Sequence, residues 1–100
     1  ETNAVWDLFG DHAKDMAVTS TKGATGHMMA AGGITEAITC IQCIRTGVIP
    51  PTLNLHELDE KCKPLNYVPG NSIQKEVNVA MSNSFGFGGQ NSSVIFKKYE

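Results

Sequence analysis

The chain has 100 residues, 41% of them hydrophobic, and its eight basic and ten acidic residues give a net charge of −2. This length accommodates one small domain or part of a larger one, and no complete second domain. Because the basic residues form no run, the composition argues against nucleic acid and anionic membranes as partners. No apolar run approaches the roughly 18 residues of a membrane span, so we expect a protein of the cytoplasm, or of an organellar matrix or stroma in a eukaryote.

The three cysteines are odd in number, which argues against a disulfide framework and suits a reducing compartment. Cys40 and Cys43 form a Cys-x-x-Cys pair, but they fall inside a predicted helix and not at its first turn, where the helix dipole would lower a thiol pKa. We interpret them as structural thiols. A zinc site would need further ligands at suitable spacing, so we expect no metal centre.

The first 19 residues predict a helix followed by a strand. Val5, Leu8 and Phe9 recur at helical spacing, and Gly10 then supplies a stop signal. The partly apolar run from Met16 to Thr19 predicts a short buried strand. The segment that follows this strand is the most informative part of the sequence.

That segment runs from Ser20 to His27 and reads STKGATGH. Lys22 and His27 lie five residues apart, and two glycines free the backbone between and beside them. A loop that feeds a helix can aim both side chains into one cleft, which is the arrangement of a chemical site. The alternative is a solvated turn with an ordinary surface lysine.

A long amphipathic helix is predicted from about His27 to Arg45, because apolar residues recur there at steps of three and four. Thr25 is the candidate N-cap, and Gly47 is the candidate C-terminal cap. The adjacent glycines at 32 and 33 are costly inside a helix, so they suggest that another backbone passes very close.

Glu36 lies on a helix stripe of small and apolar residues, where a packed helix would bury its carboxylate. A buried carboxylate needs a cationic or hydrogen-bonding partner, and Lys22 is the candidate. The alternative is that Glu36 faces solvent.

Residues 50–71 contain all four prolines and predict an ordered crossing with little regular structure. Four apolar side chains are expected to pin it, namely Leu53, Leu55, Leu65 and Tyr67. Strands are then predicted at Val77–Ser82 and Val94–Tyr99.

The joint between these strands, Ser84–Asn91, is too rich in glycine and aromatic residues to predict a plain hairpin turn. Its glycines would let backbone N–H groups converge on a ligand, and Phe85 and Phe87 would add flat apolar surface to a pocket. A phosphate loop or a structural bulge are the alternatives, although the glycine spacing matches neither common phosphate-binding motif.

A strand-helix-strand unit predicts a right-handed parallel crossover, after which the last strand returns antiparallel. This layout would bring the loops 22–27 and 85–91 to one edge of the sheet. One sheet face would remain without cover, so the chain is expected to need more protein.

Four motifs in order, STKGATGH, PPTLNL at 50–55, NYVP at 66–69 and SNSFGFGG at 82–89, resemble the C-terminal part of the β-ketoacyl-[acyl-carrier-protein] synthases of the fatty-acid-elongating, type II class. The resemblance spans residues 1–98. It implies an α/β, thiolase-like fold of five α-β-α-β-α layers, in which residues 1–100 form the final β-α-β-β part of the C-terminal half.

The resemblance further implies an acyltransferase that uses no cofactor. It joins an acyl thioester to malonyl-[acyl-carrier-protein] by a decarboxylating Claisen condensation, as a homodimer. The implied partners are acyl- and malonyl-acyl carrier protein and the remainder of the parent chain. A polyketide ketosynthase domain and a non-catalytic, chain-length-factor-like partner are the alternatives.

By resemblance, His27 matches an active-site histidine that donates a hydrogen bond to the malonyl thioester oxygen. Lys22 matches the family lysine, held by the glutamate that Glu36 resembles, and Phe87 matches a gate whose N–H forms part of an oxyanion hole. The supporting residues are Phe85, Gly88, Gly89 and Asn91.

The nucleophilic cysteine and a second histidine belong to earlier parts of the family's chain, so residues 1–100 alone are expected to be inactive. Some relatives hold a cation near positions matching Glu36, Ser82 and Asn83, but a simple ion pair between Lys22 and Glu36 is the other interpretation.

Overall fold

Helices occupy the first half of the chain and antiparallel strands the second half, in a computed structural model that describes residues 1–100. None of the helices combines the length and apolar character needed to cross a membrane. The elements in chain order are α1 (Thr2–Phe9), a 3-10 helix (Gly10–Asp15), α2 (Lys22–Thr25), a second 3-10 helix (Met29–Ala31), α3 (Gly32–Thr46), β1 (Val48–Ile49), β2 (Ile73–Gln74), β3 (Val79–Gly86) and β4 (Gln90–Lys97).

A small core lies between α1 and the irregular crossing. It is formed by Val5, Ala13 and Leu65, all buried, with four partly buried side chains packed around them: Trp6, Phe9, Val18 and Tyr67. Helix α1 ends at Gly10, as predicted, and the N–H of that glycine donates to the Trp6 carbonyl. The crossing therefore packs against α1 through Leu65 and Tyr67, two of the four residues expected to pin it.

The strand predicted at Met16–Thr19 is wrong as a regular element. These residues are half-buried, but they make a single parallel bridge, between Ala17 and Asn66. The Val18 N–H donates to the Asn66 carbonyl at 2.8 Å. The crossing near Asn66 is irregular and supplies no extended strand to pair with residues 16–19. The ladder therefore stops after one bridge.

Helix α3 begins at Gly32, five residues later than predicted. Gly26 has φ 72° and Met29 has φ 51°, and a right-handed helix cannot pass through left-handed backbone. Thr25 is therefore not the N-cap of α3. Its single hydroxyl proton is shared between the carbonyls of Thr21 and Gly26, at 3.3 and 2.9 Å.

The C-terminal end of α3 follows the prediction. Gly47 has φ 72°, and its N–H donates to the Cys43 carbonyl at 2.9 Å. A Cβ at Gly47 would lie 2.8 Å from Gln74 Nε2 and 3.1 Å from the Lys75 carbonyl oxygen, so only glycine fits where β1 and β2 pair. By contrast, a Cβ at positions 32 or 33 would meet no heavy atom within 4 Å, and the close backbone predicted there is absent from this chain.

Strands β3 and β4 form a long antiparallel hairpin, in register from Val79↔Lys97 to Gly86↔Gln90. Both strands extend closer to the turn than predicted, while β3 begins at Val79 instead of Val77 and β4 ends at Lys97 instead of Tyr99. The joint is a three-residue turn, residues 87–89. The prediction that the joint is not a plain hairpin turn is therefore wrong for its backbone, and its predicted part in a ligand pocket stays a prediction. Gly88 and Gly89 have φ 92° and 84°, which are left-handed values that a tight turn demands and that glycine adopts without strain.

The sheet topology also differs from the predicted parallel crossover. The strands form two separate antiparallel pairs, β1–β2 and β3–β4, and α3 packs against β3. Only five residues are buried, while Ile34, Ile38 and Ile95 are 63%, 52% and 65% exposed. This exposed apolar surface agrees with the expectation that the chain needs more protein to complete its core.

Candidate functional site

The loop between Thr19 and α3 carries Lys22 at the start of α2, a single helical turn. The Thr21 carbonyl accepts the N–H groups of Ala24 and Thr25, both at 3.0 Å. Gly23 lies against Leu53, because a Cβ built on it would be 3.1 Å from both the Cβ and the carbonyl oxygen of Leu53. The missing side chain at Gly23 therefore lets the loop approach the irregular crossing closely.

Lys22 and Glu36 form a hydrogen-bonded ion pair from the Lys22 Nζ to the Glu36 Oε1. The Glu36 side chain is 19% exposed and the Lys22 side chain 44% exposed. The predicted partner, Lys22, is confirmed, whereas the carboxylate is mostly covered without being buried. The pair links the loop to the second turn of α3.

His27 lies on the connection between α2 and α3, and its ring is oriented by one backbone contact. The Met29 N–H donates to His27 Nδ1 at 3.0 Å. A nitrogen that accepts a hydrogen bond carries no proton, so the neutral ring holds its proton on Nε2. The left-handed conformation of Met29 belongs to this turn and is unusual for a side chain of its size. His27 therefore presents an Nε2–H donor on an exposed face.

The aromatic residues Phe85 and Phe87 belong to the hairpin of β3 and β4. Phe87, at the hairpin tip, is fully exposed, and Phe85 is 63% exposed and opposite Asn91 in the ladder. Gly88 and Gly89 complete the turn. No hydrogen bond or ion pair joins the hairpin turn to Lys22 or His27, so the common edge of the two loops stays a prediction.

Ser82 and Asn83, named with Glu36 as a possible cation site, lie on β3. The Asn83 side-chain oxygen accepts a hydrogen bond from the Ser93 hydroxyl at 2.7 Å, across the hairpin. The structure contains no group of three or more His, Cys, Asp or Glu side chains that could hold a metal ion. The contacts of Glu36 and Asn83 are those of an ion pair and a cross-strand hydrogen bond.

Cys40 and Cys43 are half-buried free thiols on α3. Burial raises the pKa of both thiols, and for Cys40 the neighbouring Cys43 and the Glu36 carboxylate raise the pKa further. A raised pKa keeps a thiol protonated near neutral pH, which is the opposite of what a nucleophile requires. The structure therefore favours the structural interpretation of this pair.

We expect Cys40 and Cys43 to react with iodoacetamide only at a higher pH than an unstructured cysteine peptide. Because both thiols have raised pKa values in the folded chain, the curve of alkylation rate against pH should be displaced to higher pH than that of the peptide. Residue-resolved mass spectrometry of alkylation from pH 6 to pH 10 measures this displacement. A curve displaced to lower pH would contradict the structural interpretation.

Two features of the site were missed from the sequence. The hydroxyls of Thr19 and Thr52 lie 3.0 Å apart, although 33 residues separate them. Met29 supplies the N–H that orients His27. Neither contact has a local sequence signal, because one depends on how the crossing folds back and the other on a left-handed backbone at a residue type that seldom adopts it.

Comparisons with known proteins agree with this architecture. The family model described as "Beta-ketoacyl synthase, C-terminal domain" matches residues 1–56. The chain is 47% identical over 100 residues to 3-oxoacyl-[acyl-carrier-protein] synthase 2 of Synechocystis sp., covering all of this chain and 24% of that protein. It is 41% identical over 98 residues to 3-oxoacyl-[acyl-carrier-protein] synthase 1 of Escherichia coli K12, covering 98% and 23%. The chain thus spans about a quarter of the length of these relatives.

Solved structures match the fold as well. The ishigamide ketosynthase/chain length factor is 35% identical with a TM-score of 0.91, over 100% of this chain and 24% of that one. A type II polyketide synthase ketosynthase, in complex with its acyl-carrier protein and bound to the hexaketide, is 27% identical with a TM-score of 0.92, over 99% and 24%. These matches confirm the α/β, thiolase-like fold and its C-terminal part. Because the family model covers more than half of its residues, the chain belongs to the β-ketoacyl synthase C-terminal domain family.

Proposed function

We propose that this chain is the C-terminal part of an enzyme that joins an acyl thioester to malonyl-[acyl-carrier-protein] by decarboxylating Claisen condensation, in fatty-acid chain elongation. The observation that carries the proposal is the hydrogen bond from the Met29 N–H to His27 Nδ1, which leaves an Nε2–H donor facing outward. The names of the relatives from Synechocystis sp. and E. coli support the same reaction.

Loss of carbon dioxide from a malonyl thioester leaves an enolate, and its negative charge develops on the thioester oxygen. A fixed donor aimed at that oxygen stabilises the transition state more than the ground state, because the charge is larger there. In the proposed mechanism His27 Nε2–H is this donor. The Met29 N–H contributes by holding the tautomer, so that no ring reorganisation accompanies the reaction.

The ion pair of Lys22 with Glu36 positions the histidine in this proposal. Glu36 belongs to α3, and Lys22 begins the turn that leads to His27, so the pair fastens the loop to the longest helix. Its charges largely offset each other. Lys22 then acts mainly by holding the loop in place and less by supplying a free positive charge.

Phe87 is proposed as the gate for the second substrate, with its N–H as part of the oxyanion hole for the acyl thioester. Its ring is fully exposed and is followed by two glycines in left-handed conformations, so neighbours in this chain do not restrain it. Phe85, Gly88, Gly89 and Asn91 support the turn. The nucleophilic cysteine and the second histidine would come from protein outside these 100 residues.

Acyl- and malonyl-acyl carrier proteins, the rest of the parent chain and a second identical subunit are the proposed partners. A cytoplasmic location, or an organellar matrix or stroma, accompanies this proposal. The three free cysteines support a reducing compartment. A non-catalytic partner subunit is disfavoured by the presence of His27 together with the paired Lys22 and Glu36.

The test is to supply the whole protein containing this chain with an acyl thioester and malonyl-acyl carrier protein. We expect carbon dioxide and one 3-oxoacyl-carrier protein per condensation, detected by mass spectrometry, and no turnover by residues 1–100 alone. Repeated condensation without reduction would favour the polyketide alternative. Absence of both carbon dioxide and product would contradict the proposal, as would turnover by residues 1–100 alone.

A further inference from the structure

We propose that the hydroxyls of Thr19 and Thr52 form a clamp that positions the loop carrying Lys22 and His27 for the decarboxylation step. This inference rests on the proposed function, and both threonines are positioning residues that touch no reacting atom. They are called the threonine clamp below.

The direction of the hydrogen bonds in the threonine clamp follows from counting protons. The Thr52 hydroxyl donates its one proton to the Tyr67 carbonyl, at 2.6 Å. Thr52 can therefore only accept from Thr19, whose hydroxyl oxygen lies 3.0 Å away, and the same Thr19 hydroxyl also donates to the Pro50 carbonyl at 3.1 Å. The single Thr19 proton is therefore shared between the Pro50 carbonyl and the Thr52 oxygen, both on the crossing, and the Thr52 proton goes to the Tyr67 carbonyl.

The far end of the threonine clamp is anchored by a strained and fully buried residue. Val68 has φ 52°, a rare conformation for a β-branched residue, and is 1% exposed. The Val68 carbonyl accepts the Thr52 N–H at 2.8 Å, next to the Tyr67 carbonyl that accepts the hydroxyl. Residue 52 is therefore held by two successive carbonyls, which face the same partner because the backbone turns at Val68.

The near end of the threonine clamp is the entrance to the site loop. Thr19 lies three residues before Lys22, and the close approach of Gly23 to Leu53 lies one residue beyond Thr52. The loop is thus fixed at its entrance by the crossing and further along by the ion pair to Glu36. With both restraints present, the turn that aims His27 has little freedom to shift.

Removing the Thr52 hydroxyl should therefore affect the rate more than substrate binding. A displacement of about 1 Å at a reacting group can cost about 10²-fold in rate. A purely structural threonine would instead change stability and leave the turnover of folded enzyme unchanged.

The experiment compares Thr52→Val, Thr52→Ser and Thr19→Val in the whole protein. The control is Thr39→Val, which removes a half-buried hydroxyl bonded only to the Thr35 carbonyl within α3. Carbon dioxide release from malonyl-acyl carrier protein gives kcat and KM, and hydrogen exchange reports on residues 20–27. Thr19→Val keeps the bond from Thr52 to Tyr67, so it provides a milder variant if Thr52→Val does not fold.

We expect Thr52→Val to lower kcat by about 10- to 100-fold while KM changes by less than about threefold. Thr52→Ser, which keeps the hydroxyl, should restore kcat to within about threefold, and residues 20–27 should exchange faster in Thr52→Val and Thr19→Val but not in Thr39→Val. Wild-type kcat in both clamp valine variants would overturn the clamp while the proposed function stands. So would equal losses in Thr39→Val, or unchanged exchange of residues 20–27. A wild-type protein that releases no carbon dioxide would overturn the proposed function itself.

Discussion

Replacing His27 by alanine is expected to lower the rate of carbon dioxide release from malonyl-acyl carrier protein by about 10²- to 10³-fold, the range found when one oxyanion donor is removed. The Nε2–H is lost while the Met29 N–H loses only its acceptor. Because His27 is exposed, the substitution creates no cavity and should leave the melting temperature nearly unchanged. A stopped assay of carbon dioxide in the whole protein measures the effect.

The matched control is His12→Ala, since His12 is exposed in the 3-10 helix before the site loop and makes no side-chain hydrogen bond or ion pair with it. It should retain the wild-type rate. If His27→Ala released carbon dioxide as fast as His12→Ala, the family and fold would stand and the proposed role of His27 would fail.

Breaking the ion pair between Lys22 and Glu36 is expected to have the second largest effect. Lys22→Met leaves a carboxylate that is only 19% exposed without its partner. We expect the free energy of unfolding to fall by about 1–2 kcal/mol, below the range for a fully buried pair because Lys22 is partly exposed. The rate of carbon dioxide release should fall by about 10- to 100-fold as the loop loses its link to α3.

A double variant separates stability from positioning. Lys22→Met with Glu36→Leu removes the unpaired charge, so it should recover most of the lost stability but not the rate. Lys14→Met is the control, because its partner Asp11 lies on the surface with a side chain 96% exposed. Full recovery of the rate in the double variant would show that the ion pair does not position His27.

Sequence signals were sufficient where the cause of a structural feature is local. The ends of α1 at Gly10 and of α3 at Gly47 followed from glycine at helix termini, and both residues have positive φ. The partner of Glu36 followed from its place on an apolar helix stripe, because covered charge demands compensation. These inferences needed only residues within one or two turns of a helix and a nearby loop.

Where the cause is a distant contact, the sequence was not sufficient. The helix start at Gly32 depends on the left-handed backbone at Met29, and methionine rarely adopts that conformation, so its sequence position gives no signal for it. The strand at Met16–Thr19 failed because its partner residues near Asn66 are irregular. The hydroxyl of Thr52 gains its role only when residues 19 and 67 come together. In each case the folded chain, and not local propensity, selects the conformation.

The tautomer of His27 in the whole protein tests the proposed mechanism most directly, and ¹⁵N NMR of histidine-labelled enzyme measures it, with His27→Ala to assign the signals. We expect a neutral ring protonated on Nε2, with Nδ1 accepting a hydrogen bond from the Met29 N–H as in the structure. A neutral ring protonated on Nδ1 would leave no Nε2–H to stabilise the enolate oxygen. That result would contradict the mechanism, even if the enzyme proved active.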